Sequence, residues 1–166
     1  MSDGDTGIEW PDGYSPDETS FHAVNELQMP AEPEVVWAWL VRPDLWSSFY
    51  GNARMVKHLE GPWPTIEPGS RWRWLTFGAL VKSGVVTYEP GRRLAWDAKS
   101  MGGSGHHGWV LERRDGGTFV RTEETQKGIG ISIIKPALRP MMVRQHQRWL
   151  EGLSRVAAEG APPAPR

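Results

Sequence analysis

The side chains best suited to chemistry lie in one stretch, GHHGWVLERRDGGTFVRTEE, residues 105–124. A histidine and a carboxylate brought together can relay a proton, hold a metal ion or orient a polar ligand. Which of these is open depends on the faces the side chains occupy, because neighbours along a strand point to opposite sides. Read as a strand, 105–113 puts His107, Trp109 and Leu111 on one face and His106, Val110 and Glu112 on the other. The DGG sequence is a tight-turn signal, and TFVRTEETQ returns with Thr118, Val120, Thr122 and Glu124 on one face. A loop at Gly116-Gly117 opposes Trp109 to Glu124 and His107 to Gln126. A loop at Asp115-Gly116 opposes His107 to Glu124 and Trp109 to Thr122. Both registers give the odd and even sets a common face.

Among tryptophan and leucine side chains the Glu124 carboxylate loses solvation and becomes a candidate general acid or base, with His107 as its partner. The competing reading makes Glu124 a wet or salt-bridged rim residue and His107 a strand histidine bonded to a neighbour. His106 points away from His107, so the two cannot hold one ion, and it is expected to have no role. No HxH, HxxxH or suitably spaced carboxylate cluster occurs, and cysteine is absent. The spacing therefore predicts no metal site.

Other strands extend the same inner face. In SRWRWLTF, Trp72, Trp74 and Thr76 oppose Arg71 and Arg73; in RRLAWDAK, Leu94, Trp96 and Ala98 oppose Arg93, Ala95 and Asp97. Apolar residues inward and charged residues outward suit a sheet with one solvated face. The turn EPGRR decides whether Val85 or Val86 sits beside Trp96. The predicted lining is Trp72, Trp74, Trp96, His107, Trp109, Leu111, Val120, Thr122 and Glu124. Met142, His146 and Trp149 join it from a later helical stripe, with packing of His146 beneath Trp149 as the competing reading. Tryptophan is in excess, with 10 copies against 4 Phe and 3 Tyr. Such flat apolar faces fill a core, wall a pocket for an aromatic ligand, or do both.

These residues need elements to position them. FHAVNELQM (21–29) has strand character, and Pro33 can open a helix carrying Val36, Trp37 and Leu40. Pro43 with Asp44 restarts a second short helix. From 53 to about 127, five or six short strands joined by tight turns imply an antiparallel meander. Met142, His146, Trp149, Leu153 and Val156 fall on one stripe of a closing helix. A long antiparallel sheet must pack that helix on its concave face, which leaves a pocket between them. The fold class is thus α+β, a curved antiparallel sheet around a long C-terminal helix.

Residues 1–19 carry six acids with no Lys or Arg and are expected to be a flexible acidic tail. Residues 160–166 form a proline-rich tail, leaving one domain at 20–159. The segment 127–145 is apolar with glycines before Pro136 and Pro140. It reads either as an irregular helix start packed on the sheet or, over 128–145, as a lid or membrane-docking lip. With 19 basic and 20 acidic residues the net charge is −1, which gives no general attraction to nucleic acid or anionic membrane. No apolar run approaches a membrane span and no leader sequence opens the chain, so a soluble cytoplasmic protein without stable membrane insertion is expected.

Five stretches occur in order: MPAEPEVVWAWLVRPDLWSSFY (29–50), PGSRWRW (68–74), YEPGRRLAW (88–96), GGTFV (116–120) and LEGLSRVAAE (150–159). Over residues 20–159 they resemble the SRPBCC superfamily, the START-like or helix-grip proteins that include polyketide cyclases/dehydrases. The resemblance implies a helix-grip cavity for a small hydrophobic, aromatic or polyketide-like ligand. It implies either a lyase of the cyclase/dehydratase kind acting without metal or redox cofactor, or a carrier of a lipid, quinone or aromatic metabolite, as monomer or homodimer. It supplies no universal catalytic residue. Chaperone activation ranks lower, since no exposed apolar patch is evident.

Overall fold

The computed structural model describes residues 7–165. Strand β1 (Phe21–Met29) leads into α1 (Pro33–Leu40) and α2 (Pro43–Trp46), each opened by a proline in its first turn, where a missing N–H costs nothing. Six strands follow: β2 (Arg54–Glu60), β3 (Arg71–Thr76), β4 (Ala79–Glu89), β5 (Arg93–Ser100), β6 (Gly103–Arg114) and β7 (Gly117–Lys127). The helix α3 (Ile129–Glu159) closes the chain. The seven strands form one antiparallel sheet in the order β1-β7-β6-β5-β4-β3-β2. The sheet is curved around α3, the helix-grip arrangement expected from the pattern.

Alternation sets the inner face. Trp72, Trp74 and Thr76 of β3 are buried while Arg71 and Arg73 between them are half-exposed. A bulge between Val85 and Thr87 pairs Val85 with Trp96 and turns Val86 out to solvent. The β6–β7 turn closes at Asp115-Gly116, so His107 opposes Glu124 and Trp109 opposes Thr122. Trp46 of α2 packs at the centre of the aromatic core. Its ring centroid lies 5.0–5.9 Å from those of Trp72, Trp74, Trp96 and Trp149, and its indole N–H donates to the Leu40 carbonyl at 3.0 Å. Tyr50 stacks on Trp149 at 4.4 Å and 10°.

Helix α3 departs from expectation at its start. It begins at Ile129 and runs through Pro136 and Pro140 rather than starting at either. Each proline removes the donor for the carbonyl four residues back, here those of Ser132 and Pro136. Ser132 fixes the first turn, donating its N–H and hydroxyl to the Gly128 carbonyl at 3.0 and 3.1 Å. From Leu138 onward the predicted stripe is buried.

The acidic segment also differs from the flexible tail expected of it; residues 1–6 lie outside the described residues. Residues 7–19 lie across the outer face of the sheet. Trp10 packs edge-on against His106 at 5.4 Å, and the Tyr14 hydroxyl donates to Ser104 at 2.9 Å. The Tyr14 carbonyl accepts from Thr125 at 2.7 Å, and Lys127 donates to the Gly13 carbonyl at 2.7 Å. Gly108 fits beneath Ile8, where a Cβ would meet the isoleucine at 2.8 Å. His106 therefore faces outward as expected, yet it is buried. At the other end, Gly160 and Pro163 accept hydrogen bonds from Trp39 and Arg42 at 2.7 and 2.9 Å.

Gly152 sets how closely α3 approaches the chain after α2, since a Cβ there would sit 2.2 Å from the Phe49 carbonyl oxygen. Alanine is the better helix former by about 1 kcal/mol, but forcing a methyl against backbone costs about 1–3 kcal/mol. Gly152→Ala is expected to lower stability by up to about 2 kcal/mol in urea unfolding; a gain in stability would contradict the close approach.

Candidate functional site

Three elements deliver three ionisable side chains to one buried place. β6 presents His107 inward, β7 presents Glu124 directly opposite it, and α3 brings His146 down from its buried stripe. The Glu124 Oε2 atom lies 3.3 Å from His107 Nδ1 and 3.1 Å from His146 Nε2. Its other oxygen accepts from the Gln126 side-chain amide. The two imidazoles stack at 4.8 Å. His107 Nε2 lies 2.8 Å from the Thr122 hydroxyl, whose oxygen is 3.1 Å from the Gly108 carbonyl. Glu124 is only 7 % exposed and the histidines less.

Burial and charge work against each other here. Desolvation pushes His107 down from 6.5 to about 3, although the Glu124 charge opposes it. Burial would raise Glu124, but the charge of His107, with the hydrogen bond and charge of His146 and the Gln126 bond, outweighs it and holds the carboxyl at about 2. At neutral pH the site thus contains a carboxylate beside a neutral His107.

A cavity of about 100 Å³ opens on this cluster. Of the residues predicted to line a pocket, Trp74, Trp96, Met142, His146 and Trp149 do so, together with His107 and Glu124. Trp72, Trp109, Leu111, Val120 and Thr122 do not. Trp72 and Trp109 are spent on packing against other rings, and Thr122 is held behind His107. Sequence reading missed Gln126, although it continues the face of Thr122 and Glu124. It also missed Phe77 of the β3–β4 turn, and it missed Ile131, Ile134 and Leu138 because it left the start of α3 undefined. Two cavity-lining indoles, Trp96 and Trp149, have N–H groups without an acceptor.

Two further expectations need correction. An exposed apolar patch exists: Ile129, Ile133 and Ile134 on α3 and Met101 on the β5–β6 turn are exposed, and Gly102 of that turn lies against Gly130. No helix among the described residues is long and apolar enough to cross a membrane. The exclusion of a metal site by spacing also fails in its premise. One ligand atom each from His107, Glu124 and His146 lies within 4.8 Å of the others, a set that three separate elements assemble and no linear motif records.

Residues 20–159 match the family model described as polyketide cyclase / dehydrase and lipid transport. The chain belongs to that family. Its structure is similar to that of hypothetical protein jhp0584 from Helicobacter pylori, with 26% identity, 90% of this chain and 95% of that one covered, and a TM-score of 0.82. TTHA0849 from Thermus thermophilus shares 15% identity over 84% and 98% of the two chains at a TM-score of 0.67. The di-domain ARO/CYC StfQ from the steffimycin biosynthetic pathway shares 11% identity over 83% of this chain and 51% of that one, at a TM-score of 0.66. The chain matches no curated protein.

The buried histidines make folding pH-dependent. His107 goes from 6.5 to about 3, facing Glu124 and His146. His106 goes from 6.5 to about 4, through burial opposed by the Glu9 backbone and by Asp97 and Glu124. Between pH 6.5 and 4 the unfolded chain binds protons that the folded chain excludes, so stability falls as pH falls. Protonation of Glu124 adds to the loss below about pH 4.5, its ordinary value, down to about 2. Urea titrations of chelator-treated protein are expected to show a falling midpoint below pH 6.5 and a shallower fall in His106→Gln. A flat profile would contradict the burial of neutral imidazoles.

Proposed function

We propose that the chain binds a small, single-ring aromatic or compact β-dicarbonyl molecule in the α3–sheet cavity, and that Glu124 removes a proton from it. The observation that carries this reading is an ionised carboxylate at a mostly apolar cavity, held between two imidazoles. Trp96 and Trp149 would wall such a ligand, and its acidic proton would meet Glu124. Apolar walls with a few orienting polar groups are the usual make-up of such sites.

The size of the space bears on the substrate. A cavity of about 150 Å³ takes benzene, so about 100 Å³ takes a single small ring only where the ring extends into the open mouth, and no folded polyketide chain. Multi-ring ligands would require the Ile131, Ile134 and Leu138 side of the cavity to withdraw. The chemistry is enolisation: Glu124 accepts the proton and the ligand keeps the electron pair as its enolate, with the imidazoles of His107 and His146 against the carboxyl group, after which loss of water or ring closure can follow. Such proton transfer contributes about 10²–10⁴-fold in rate. The family description and the likeness to a cyclase fold support this assignment without naming the substrate.

A second reading, a carrier without turnover, is favoured by the exposed isoleucines beside the cavity and by the lipid transport in the family description. Two probes separate the readings. Exchange of the central C–H of pentane-2,4-dione into heavy water, followed by NMR, is expected to be accelerated by the protein and to fall about 10²-fold or more in Glu124→Gln. Equal rates in the two proteins would leave the carrier. Phenol binding, followed by calorimetry, is expected to survive Glu124→Gln within a few-fold. It should weaken about tenfold or more in Ala98→Leu, which fills the cavity from β5; unaltered binding there would place phenol elsewhere.

A further inference from the structure

We propose that His107 Nδ1, His146 Nε2 and Glu124 Oε2 bind one divalent first-row transition-metal ion, of the Zn²⁺ class, with its remaining position open to the cavity. The distances fit. Ligands about 2.1 Å from a tetrahedral ion stand about 3.4 Å apart, and Oε2 lies 3.3 and 3.1 Å from the two nitrogens.

Hydrogen bonding around two of the three ligands points the same way, while His146 Nδ1 is buried without a partner among the described residues. The Thr122 hydroxyl has a single hydrogen, and its oxygen is placed to donate to the Gly108 carbonyl. With that orientation Nε2 of His107 donates to Thr122 and a neutral ring leaves Nδ1 bare; with the hydroxyl turned to Nε2 instead, Nδ1 donates to Glu124. In the first arrangement Nδ1 faces Oε2 of a carboxylate at 3.3 Å, one acceptor against another. A positive charge between them removes the conflict. Thr122 then does what outer partners of metal-bound histidines do, fixing the tautomer and the ring plane. Gln126 does the same for the carboxylate by occupying Oε1 and leaving Oε2 to the ion.

The partners of Glu124 are His107, His146 and Gln126, with no Lys or Arg in ion-pair contact among the described residues. No fixed positive charge therefore meets this buried carboxylate; its partners are two imidazoles and an amide. Two imidazoles and one carboxylate select a borderline transition ion over Mg²⁺ or Ca²⁺, which prefer oxygen donors. With three protein ligands the fourth position faces the cavity, available to water or to an oxygen of a bound molecule. An ion on Oε2 occupies the lone pair a base would use, so the metal site and the proposed proton transfer are separate claims about loaded and ion-free forms.

The full chain, stripped with chelator, is titrated with Zn²⁺ alone by calorimetry, and its Co²⁺ form is examined by visible spectroscopy. One ion per chain is expected, with affinity lowered beyond about 100-fold in His146→Gln and Glu124→Gln, and about 10- to 100-fold in Thr122→Val. His22→Gln, which removes the separate His22–Glu123 pair on the outer face, should leave it unchanged. X-ray absorption on the zinc-loaded natural sequence decides without any variant: two imidazoles with oxygen ligands support the site. Sub-stoichiometric uptake, an all-oxygen shell, or binding that survives Glu124→Gln would overturn it. Phenol binding and proton exchange are measured on chelated protein, so either claim can fail alone.

Discussion

One buried carboxylate constrains this molecule more than any other group. An ionised side chain removed from water must be met by donors or opposite charge, or the fold loses several kcal/mol. Glu124 meets that demand by drawing on three parts of the chain: a strand partner across the β6–β7 ladder, a glutamine two residues along its own strand, and a histidine from the closing helix. The depth to which α3 seats in the sheet and the register of the hairpin are therefore tied to the same atom. Moving the helix by one turn or the hairpin by one residue would strand the charge.

Around this polar centre the protein is unusually aromatic. Tryptophans from β3, β5, β6, α2 and α3 interlock at centroid distances near 5–6 Å, a spacing at which edge and offset contacts add to simple burial. Large rigid rings fill space efficiently, so most of the volume between sheet and helix is solid core. What remains open is a small space where the rings give way to His107, Glu124 and His146. The same tryptophans that support the site also limit what can enter it.

Much of the fold was legible in the sequence because strands announce themselves by alternation. WRW with its arginines outward, LAWDA, and the HHGWVL–TFVRTEE hairpin placed β3, β5, β6 and β7 and their inner faces correctly, and the helical stripe placed His146 and Trp149. The cluster itself was less legible. His107 and Glu124 were paired through the hairpin, but His146 joins them across a long-range contact that no local spacing encodes. Trp46 was hidden in a four-residue helix too short to show periodicity. The seating of residues 7–19 went unread because composition alone, acidic with glycine and proline, resembles a free tail. Its anchors are single residues (Ile8, Trp10, Tyr14) that find shallow sites on the sheet. The start of α3 was missed for the opposite reason: two prolines argued against a helix that tertiary contacts nonetheless sustain.

Those prolines have a kinetic meaning. The turns from Ile129 to about Pro140 lack two of the helical hydrogen bonds, carry exposed isoleucines and form one side of the cavity, whereas from Met142 onward the helix is embedded in the aromatic core. Local opening draws on the free energy of the contacts it breaks, not on that of the whole domain. One continuous helix thus contains a weakly held first part and a strongly held second part. Local opening beside the cavity and unfolding of the whole protein can then run on separate clocks, so a tightly folded core need not mean a rigid cavity wall.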